Sequence, residues 1–265
     1  MLEPKDVIDS RDLQIFLQEQ AQRLNRLYHF TTLESILCIL KNRSFRLTRM
    51  DLMNDKAEKL LGKQKDRSEC YVMSFTQKKE YVSMWAMYGK PSGIRLRLDF
   101  NRELLWQAIN DNFFFDSDRS KRINLSLNDH LDYFTKTGWL LSDIAYLDKS
   151  KNVLKHNGKL LSNIVHVNQA VNDIAGFVKY DAWEFEKETR LRVNIRSSII
   201  DCQEKDYPEH IFAGINEKLI RSFRVTYNPW LSSEMKDVVK NSLRDMAGFE
   251  IPCRNSDNDE EIGEL

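Results

Sequence analysis

Apolar residues recur at every third or fourth position in several stretches of the chain, and this spacing predicts helices that each bury one face. The clearest apolar stripe runs from Leu13 to Leu24. Thr31 and Glu34 have the spacing of a capping box, which predicts a helix that begins just after Thr31 and includes Glu34. The predicted helices are residues 9–25, 33–42, 81–88, 160–178 and 232–246.

From Ile94 to Phe100 the pattern changes to strict alternation, with apolar side chains on one side and Arg95, Arg97 and Asp99 on the other. Alternation with a period of two is typical of a half-buried antiparallel strand. The other predicted strands are residues 27–30, 44–48, 70–76, 144–147, 188–195, 223–227 and 249–251.

Helices and strands follow one another without an internal repeat or a linker, which favours one mixed α+β domain over residues 1–254. We expect residues 1–26 to contribute its N-terminal helix and residues 106–159 to form a helical insertion. Residues 255–265 are acidic and almost free of apolar side chains, so we predict a flexible tail there.

The composition limits the possible functions. Lys and Arg number 40 and Asp and Glu number 40, so the net charge is zero, which argues against a protein that coats nucleic acid. Hydrophobic residues make up 42%, enough for a substantial core. The four cysteines are scattered, and the chain shows neither a secretion signal nor a long apolar run. We therefore expect a cytoplasmic protein that has no disulfides and does not enter a membrane.

Common catalytic motifs are missing from the sequence. It contains no phosphate-binding loop, no nucleophile elbow and no zinc-protease motif, and its five histidines lack metal-ligand spacing. We therefore expect no metal. One alternative stays open, a metal-dependent nuclease that uses the acidic middle segment, although solvated carboxylates are the ordinary explanation there. The acids concerned are Asp116, Asp118, Asp129, Asp132 and Asp143.

Three segments carry polar residues that a core does not require. The first is Tyr28 to Thr32, where His29 ends an apolar strand just before a helix N-terminus. An imidazole beside free helical N–H groups suits a polar or anionic ligand, although a satisfied, partly buried histidine is the simpler interpretation.

The second segment is Ser74 to Thr76, which closes a strand and precedes the aromatic helix face of Tyr81, Trp85 and Tyr88. A strand-end hydroxyl can hydrogen-bond a carboxamide while a ring stacks on a flat heteroaromatic group. The alternative is that the aromatic residues belong to the core.

The third segment is Trp183 to Arg190, which has a carboxylate at every second position as it enters a strand. In a strand, Glu184, Glu186, Glu188 and Arg190 share one face, and such a face must be solvated, paired with cations or functional. A carboxylate there can orient a ribose hydroxyl and stabilise an oxocarbenium-like centre.

In this order, the three segments resemble the bacterial family catalogued as domain of unknown function 2971, over about residues 27–230. The opening Tyr-His-Phe-Thr is more distantly similar to the start of DarT-type DNA ADP-ribosyltransferases. The order of these features is also that of the His-Tyr-Glu branch of that fold: first a histidine, then a Ser/Thr strand with an aromatic residue, and then a late strand glutamate. The residues that carry the family resemblance are Tyr28 to Thr31, Leu33, Ile36, Leu37, Asn54, Asp55, Glu58, Ser74 to Thr76, Trp85, Tyr88, Gly93 and Trp183 to Arg190.

The resemblance implies split antiparallel sheets with flanking helices, and NAD as a substrate used without a metal. Glu188 would be the catalytic carboxylate, with Glu186 as the alternative. His29 would contact the NAD ribose and Ser74 the nicotinamide carboxamide. The other residues expected to bind NAD are Tyr28, Thr31, Thr76 and one or more of Tyr81, Trp85 and Tyr88.

The acceptor of the ADP-ribose is left open. Arg46, Arg49 and Arg190 are expected to lie on one positive face, which slightly favours nucleic acid over protein because arginine binds phosphate well. A toxin-like role in growth control or phage defence, restrained by an antitoxin or other partner, fits such an enzyme. The main competing hypothesis is a non-enzymatic module that binds a nucleotide or a partner protein.

Overall fold

The computed structural model describes residues 3–53, 68–78, 82–87, 94–109, 112–123, 138–161, 176–195 and 207–256. The chain divides into two compact units made of interleaved segments. The first unit comprises residues 1–24, 46–74 and 113–212, and the second comprises residues 25–45, 75–112 and 213–265. The prediction of one domain over residues 1–254 stays a prediction.

The described helices are α1 (Ser10–Gln22), α2 (Leu33–Asn42), α3 (Val82–Met87), α4 (Arg102–Ile109), α5 (Glu217–Arg221) and α6 (Ser233–Ala247). The described strands are β1 (Arg26–Thr32), β2 (Ser44–Arg49), β3 (Cys70–Thr76), β4 (Arg95–Asn101), β5 (Phe113–Phe114), β6 (Arg122–Ile123), β7 (Gly138–Asp143), β8 (Ala145–Asp148), β9 (Val153–His156), β10 (Lys159–Leu160), β11 (Val178–Tyr180), β12 (Glu188–Asn194), β13 (His210–Gly214), β14 (Arg224–Tyr227) and β15 (Cys253–Arg254). Most pairings are antiparallel, which confirms the predicted mixed α+β class.

In the first unit, β12 lies between β7 and β3, and its antiparallel register with β7 runs from Thr189 opposite Asp143 to Asn194 opposite Gly138. A second small sheet has the order β10, β9, β8, β11, with β11 parallel to β8. Helix α1 begins at its N-cap Asp9, whose carboxylate accepts from two backbone N–H groups. The apolar side of α1 packs with residues of β7, β8 and β9 into one core cluster.

In the second unit, β1 pairs along its whole length with β4, from Arg26 opposite Asn101 to Thr32 opposite Arg95. Strand β14 continues the sheet on the other side of β4, and β15 lies parallel to β14. An aromatic cluster fills the core, with neighbouring ring centroids 5.4 to 6.3 Å apart. Its members are Phe45, Phe75, Phe100 and Phe223.

Strand β4 differs from its prediction because both of its faces are covered. Arg97 and Asp99 are buried, although their alternation with apolar residues predicted a solvated face. Arg97 Nη2 donates to Thr226 Oγ1 over 2.7 Å, and Asp99 Oδ2 accepts from Arg26 Nε over 3.1 Å. Polar partners of this kind lower the cost of burying charged side chains, and a sequence period alone does not reveal them.

The described part of residues 106–159 contradicts the predicted helical insertion. After α4 ends at Ile109 this part contains β5, β6, β7, β8 and β9. Residues 139–148 are buried along their whole length, as expected for strands covered on both faces. The predicted helix at 160–178 falls mostly on residues outside the description, and its two ends lie in β10 and β11. The last strand lies at Cys253–Arg254 rather than at 249–251.

No helix among the described residues is long and apolar enough to cross a membrane. Three of the cysteines, Cys38, Cys70 and Cys253, are free thiols. Residues 257–265, which carry most of the predicted acidic tail, lie outside the described residues.

Thr32, and not Thr31, caps helix α2. The Thr32 hydroxyl accepts from the backbone N–H of Ser35 over 3.4 Å, whereas Thr31 is a buried residue of β1. The strand therefore continues one residue further than the predicted capping box allows.

Replacing the cap tests this assignment. We expect Thr32→Ala to lower the free energy of unfolding by about 1 kcal/mol, because one helical N–H loses its acceptor. Glu34→Gln should change it by less than about 0.5 kcal/mol, because Glu34 is exposed and has no capping role. Urea denaturation measures both free energies of unfolding. A larger loss of stability in Glu34→Gln than in Thr32→Ala would support the capping box of Thr31 and Glu34 instead.

Candidate active site

Four charged side chains are buried together in the first unit, around the start of β12. Glu186 and Glu188 are each 3% exposed, and Arg190 is fully buried. Arg190 Nε donates to Glu188 Oε1 over 2.6 Å, and Arg190 Nη2 donates to Glu188 Oε2 over 3.2 Å. Lys179 Nζ donates to Glu186 Oε2 over 2.6 Å and to Glu188 Oε2 over 3.2 Å. The two negative charges of the carboxylates are matched by the two positive charges of Arg190 and Lys179, and this pairing offsets the cost of removing the charges from water.

The local backbone explains why only part of the predicted acidic face forms. Residues Asp181–Glu186 make a 3₁₀ helix, and Lys187 then turns the chain with a left-handed φ of 44° into β12. Glu188 is thus the first residue of the strand and shares one face with Arg190. Glu184 does not lie on that face, because its carboxylate binds the Gly158 N–H and Lys187 instead.

Hydrogen bonds hold the backbone of Glu188 on both sides. The Tyr146 hydroxyl accepts from the Glu188 N–H over 2.9 Å, and the Glu188 carbonyl accepts from the Ile144 N–H over 3.0 Å. Lys179 is itself seated on the Trp183 ring, with Nζ 4.8 Å from the ring centroid. The carboxylate is therefore preorganised by three strands and a 3₁₀ helix.

The surroundings keep Glu188 ionised. Burial raises its pKa, but the charges of Arg190 and Lys179 and the hydrogen bonds from Arg190 and Ser74 outweigh burial and lower the pKa to about 2. Burial lowers the pKa of Lys179, but Glu188 and Glu186 outweigh it and raise that pKa overall. Burial and the Glu188 charge raise the pKa of Tyr146 well above its usual value, so the phenol stays neutral.

The structure brings Ser74 together with the predicted glutamates. Ser74 lies near the end of β3 and is partly exposed, and its hydroxyl hydrogen-bonds the Glu188 carboxylate. Four predicted site residues, Ser74, Glu186, Glu188 and Arg190, thus form one cluster within the first unit. The cluster offers an ionised acceptor for a substrate hydroxyl and negative charge beside a developing cation.

The residues predicted to hold nicotinamide belong mostly to the second unit, and Trp85 does not have the expected role. Trp85 is 1% exposed and packs edge-on against Phe30, with ring centroids 4.7 Å apart. It is a core residue, so its prediction as a stacking surface is wrong. Tyr81 and Tyr88 lie outside the described residues.

The other predicted NAD contacts of the second unit lie along β1 and at the end of β3. His29 is half-buried, and its ring meets Phe75 edge-on at 5.9 Å. The Tyr28 ring lies under the Arg97 guanidinium at 5.0 Å. Thr31 and Thr76 are buried, and Thr76 Oγ1 accepts from the Lys78 N–H. Their binding to NAD stays a prediction.

The three arginines predicted to bind the acceptor have different environments. Arg190 is buried against Glu188, so the prediction that it presents its guanidinium to a macromolecule is wrong. Arg49 binds Asp51 over 2.7 Å and the Tyr207 carbonyl over 2.6 Å. Arg46 is exposed. A positive face built from all three residues is therefore not formed.

Sequence reasoning missed Lys179 and Tyr146, and it placed Asp143 among the solvated acids. Asp143 is buried, with Oδ1 accepting from Thr189 Oγ1 over 2.7 Å and Oδ2 lying 3.0 Å from His156 Nε2. Within the described ranges, no group of three or more His, Cys, Asp or Glu residues is arranged to hold a metal ion. Asp129 and Asp132 lie outside those ranges.

Comparison with known proteins finds that part of this cluster matches a family model. The model of the family described as Protein of unknown function (DUF2971) matches residues 84–191. This confirms the resemblance for the segment that contains Trp85, Glu186, Glu188 and Arg190. The segments with His29 and Ser74 lie before the match.

Among solved structures, the chain is similar to DarT of Thermus sp. 2.9 in complex with carba-NAD+. The sequences are 9% identical, the TM-score is 0.39, and the match covers 89% of this chain and 97% of that chain. These values are too low to assign an activity. No curated protein matches the chain.

The burial of Trp85 predicts a large structural effect. We expect Trp85→Ala to lower the free energy of unfolding by about 3–5 kcal/mol, because a packed indole is replaced by a cavity. Met87→Ala, on the exposed side of the same helix, should cost less than about 0.5 kcal/mol. Urea denaturation compares the two variants, and equal losses would mean that Trp85 is not a core residue.

The lowered pKa of Glu188 predicts how stability depends on pH. The ionised carboxylate stabilises the folded state above its unfolded pKa, near 4.5, and this stabilisation is lost as the pH falls toward about 2. The difference in unfolding free energy between wild type and Glu188→Gln should therefore shrink between pH 6 and pH 3. Urea denaturation at both pH values measures it, and a constant difference would show that Glu188 is not held ionised.

Proposed function

We propose that this protein is an NAD-dependent ADP-ribosyltransferase with Glu188 as its catalytic carboxylate. One observation carries the proposal: Glu188 is buried yet held ionised by Arg190, Lys179 and Ser74. An ionised carboxylate fixed in a site of low dielectric suits a reaction whose transition state carries positive charge on a ribose. The sequence resemblance to ADP-ribosyltransferases supports the same reaction.

In this reaction, the bond between ribose C1′ and the nicotinamide nitrogen breaks, and its electron pair leaves with neutral nicotinamide. A nucleophilic atom of the acceptor then bonds to C1′ and loses its proton. Glu188 accepts a hydrogen bond from a ribose hydroxyl and stabilises the cationic C1′ between these two events. No step requires a metal.

Glu188 is a better candidate than Glu186. The Ser74 hydroxyl joins Glu188 to a partly exposed strand position, whereas Glu186 binds buried Lys179 over 2.6 Å. We assign Glu186 the task of keeping Lys179 in place. Ser74 would face the nicotinamide carboxamide and His29 the NAD ribose.

The acceptor is proposed to be an intracellular macromolecule, with nucleic acid slightly favoured over protein. Exposed Arg46 is a candidate contact for its phosphates. We further propose that the enzyme acts in the cytoplasm as a toxin-like effector, in a toxin–antitoxin system or in phage defence. An inhibitory partner would then restrain it.

A non-enzymatic module that binds a nucleotide or a partner is the second candidate. The observation that favours it is the saturation of Glu188 by Arg190, Lys179 and Ser74, together with its low exposure. An ion-pair network of this kind can be purely structural. This candidate predicts NAD binding without nicotinamide release.

Nicotinamide release from NAD tests the proposal. Purified wild type, supplied in turn with bacterial RNA, DNA and protein, should release nicotinamide and transfer labelled ADP-ribose to one polymer class. Glu188→Gln should lower the release by about 100-fold or more, because it keeps the shape of the side chain and removes the charge. Chelator should have no effect, whereas it would abolish activity of the metal-dependent nuclease.

Glu184→Gln is the matched control. Glu184 lies four residues away and binds Gly158 and Lys187 outside the cluster, so its loss should leave release unchanged. Circular dichroism and melting temperature show whether Glu188→Gln folds, and Ser74→Ala provides a second, less disruptive variant. No release with any acceptor, or equal release by wild type and a folded Glu188→Gln, would contradict the proposal.

A further inference from the structure

A cavity of about 370 Å³ lies in the second unit, where the C-terminal ends of α2 and α6 meet α5. Its floor is apolar and its rim is charged. Leu40 and Ile220 are buried in the floor, while Met246 is 41% exposed. The lining residues used below are Lys41, Arg43, Glu217, Arg221, Met246 and Phe249.

The rim carries more positive than negative charge. Arg221 binds the Glu217 carboxylate over 2.6 Å and lies over the Phe249 ring at 4.5 Å. Lys41 and Arg43 are exposed, and in the described part of the chain neither has a carboxylate partner. The cavity therefore offers two unpaired cations beside exposed apolar surface.

Arg43 occupies a backbone position that usually holds glycine. It follows the last residue of α2 with a left-handed φ of 47°. Its carbonyl accepts from the Ile215 N–H over 2.8 Å, which fixes the turn. A cation at a helix C-terminus complements the helix dipole, but that effect does not account for the exposed Met246 in the same cavity. Cations and an apolar surface together suit an acidic peptide with apolar side chains.

Residues 257–265 have this composition. They include five carboxylate side chains, no lysine or arginine, and the apolar residues Ile262 and Leu265. Their charge and their two apolar side chains therefore complement the rim and the floor.

The chain length allows this segment to reach the cavity. Phe249, in the cavity wall, and Ser256 are seven residue steps apart along the chain, so the two lie at most about 25 Å apart. The nine residues that follow Ser256 span about 30 Å when extended. The far end of the segment can therefore reach the cavity wall at Phe249 even when Phe249 and Ser256 are as far apart as the chain allows.

We propose that residues 257–265 bind in this cavity of their own chain. Their carboxylates pair with Lys41 and Arg43, and Ile262 or Leu265 covers Met246. The proposal is independent of NAD chemistry.

Zero-length crosslinking of the full chain with a carbodiimide tests the proposal. Because the reagent joins only amines and carboxylates in direct contact, mass spectrometry should find Lys41 joined to Glu260, Glu261 or Glu264. The pair Lys240 and Glu250, 3.1 Å apart in the same unit, is the internal positive control. Arg43→Glu should lower the Lys41 crosslink at least five-fold and leave the control crosslink unchanged.

Mixing unlabelled and ¹⁵N-labelled protein separates crosslinks within a chain from those between chains. The expected crosslink joins peptides of one isotope only. Mixed-isotope crosslinks would assign the cavity to a second copy and overturn the proposal. The proposal is also overturned if the control crosslink forms without the Lys41 crosslink, or if Arg43→Glu leaves the Lys41 crosslink unchanged.

Discussion

The pairing of Glu188 with Arg190 and Lys179 is the interaction on which the candidate site depends. Two carboxylates and two cations are buried with almost no solvent contact, and each alone would be costly to bury. Removing one partner of a buried pair typically costs about 3–5 kcal/mol, because the other charge stays behind uncompensated. The network therefore explains why Glu188 keeps its charge.

In the proposed reaction, this arrangement would serve chemistry as well as stability. A carboxylate that is already desolvated and oriented needs no reorganisation when positive charge develops beside it. Lys179 keeps the two glutamates from repelling each other, and Tyr146 fixes the backbone of Glu188 through a neutral hydroxyl. In an enzymatic role, the Glu188 oxygens would accept a hydrogen bond from a substrate hydroxyl in addition to those from their present donors. In a purely structural role, NAD would leave these hydrogen bonds unchanged.

Local pattern predicted the strands well where the alternation or the apolar run was strong. Strand β3 was predicted with its observed bounds, and Glu188 was selected because it enters a strand. The sequence did not predict Lys179, because its contact with Glu188 depends on the parallel pairing of β11 with β8. Helical spacing identified the stripe that contains Trp85, but spacing does not distinguish a core ring from one that binds a ligand. Arg97 and Asp143 were misassigned because the partners that allow their burial, Thr226 and Thr189, lie far away in the sequence. Arg190 pairs with Glu188 only two residues away, but the strand pattern does not show that this pair is buried.

The most direct test of the central claim is ¹³C NMR of the glutamate side-chain carboxyl groups, with Glu188 assigned through Glu188→Gln. The account predicts that the Glu188 signal stays that of a carboxylate below pH 4. It also predicts that a non-hydrolysable NAD analogue shifts this signal and leaves that of Glu184 unchanged. The account would be contradicted if the Glu188 signal titrates near pH 4.5, or if a saturating concentration of the NAD analogue does not shift it.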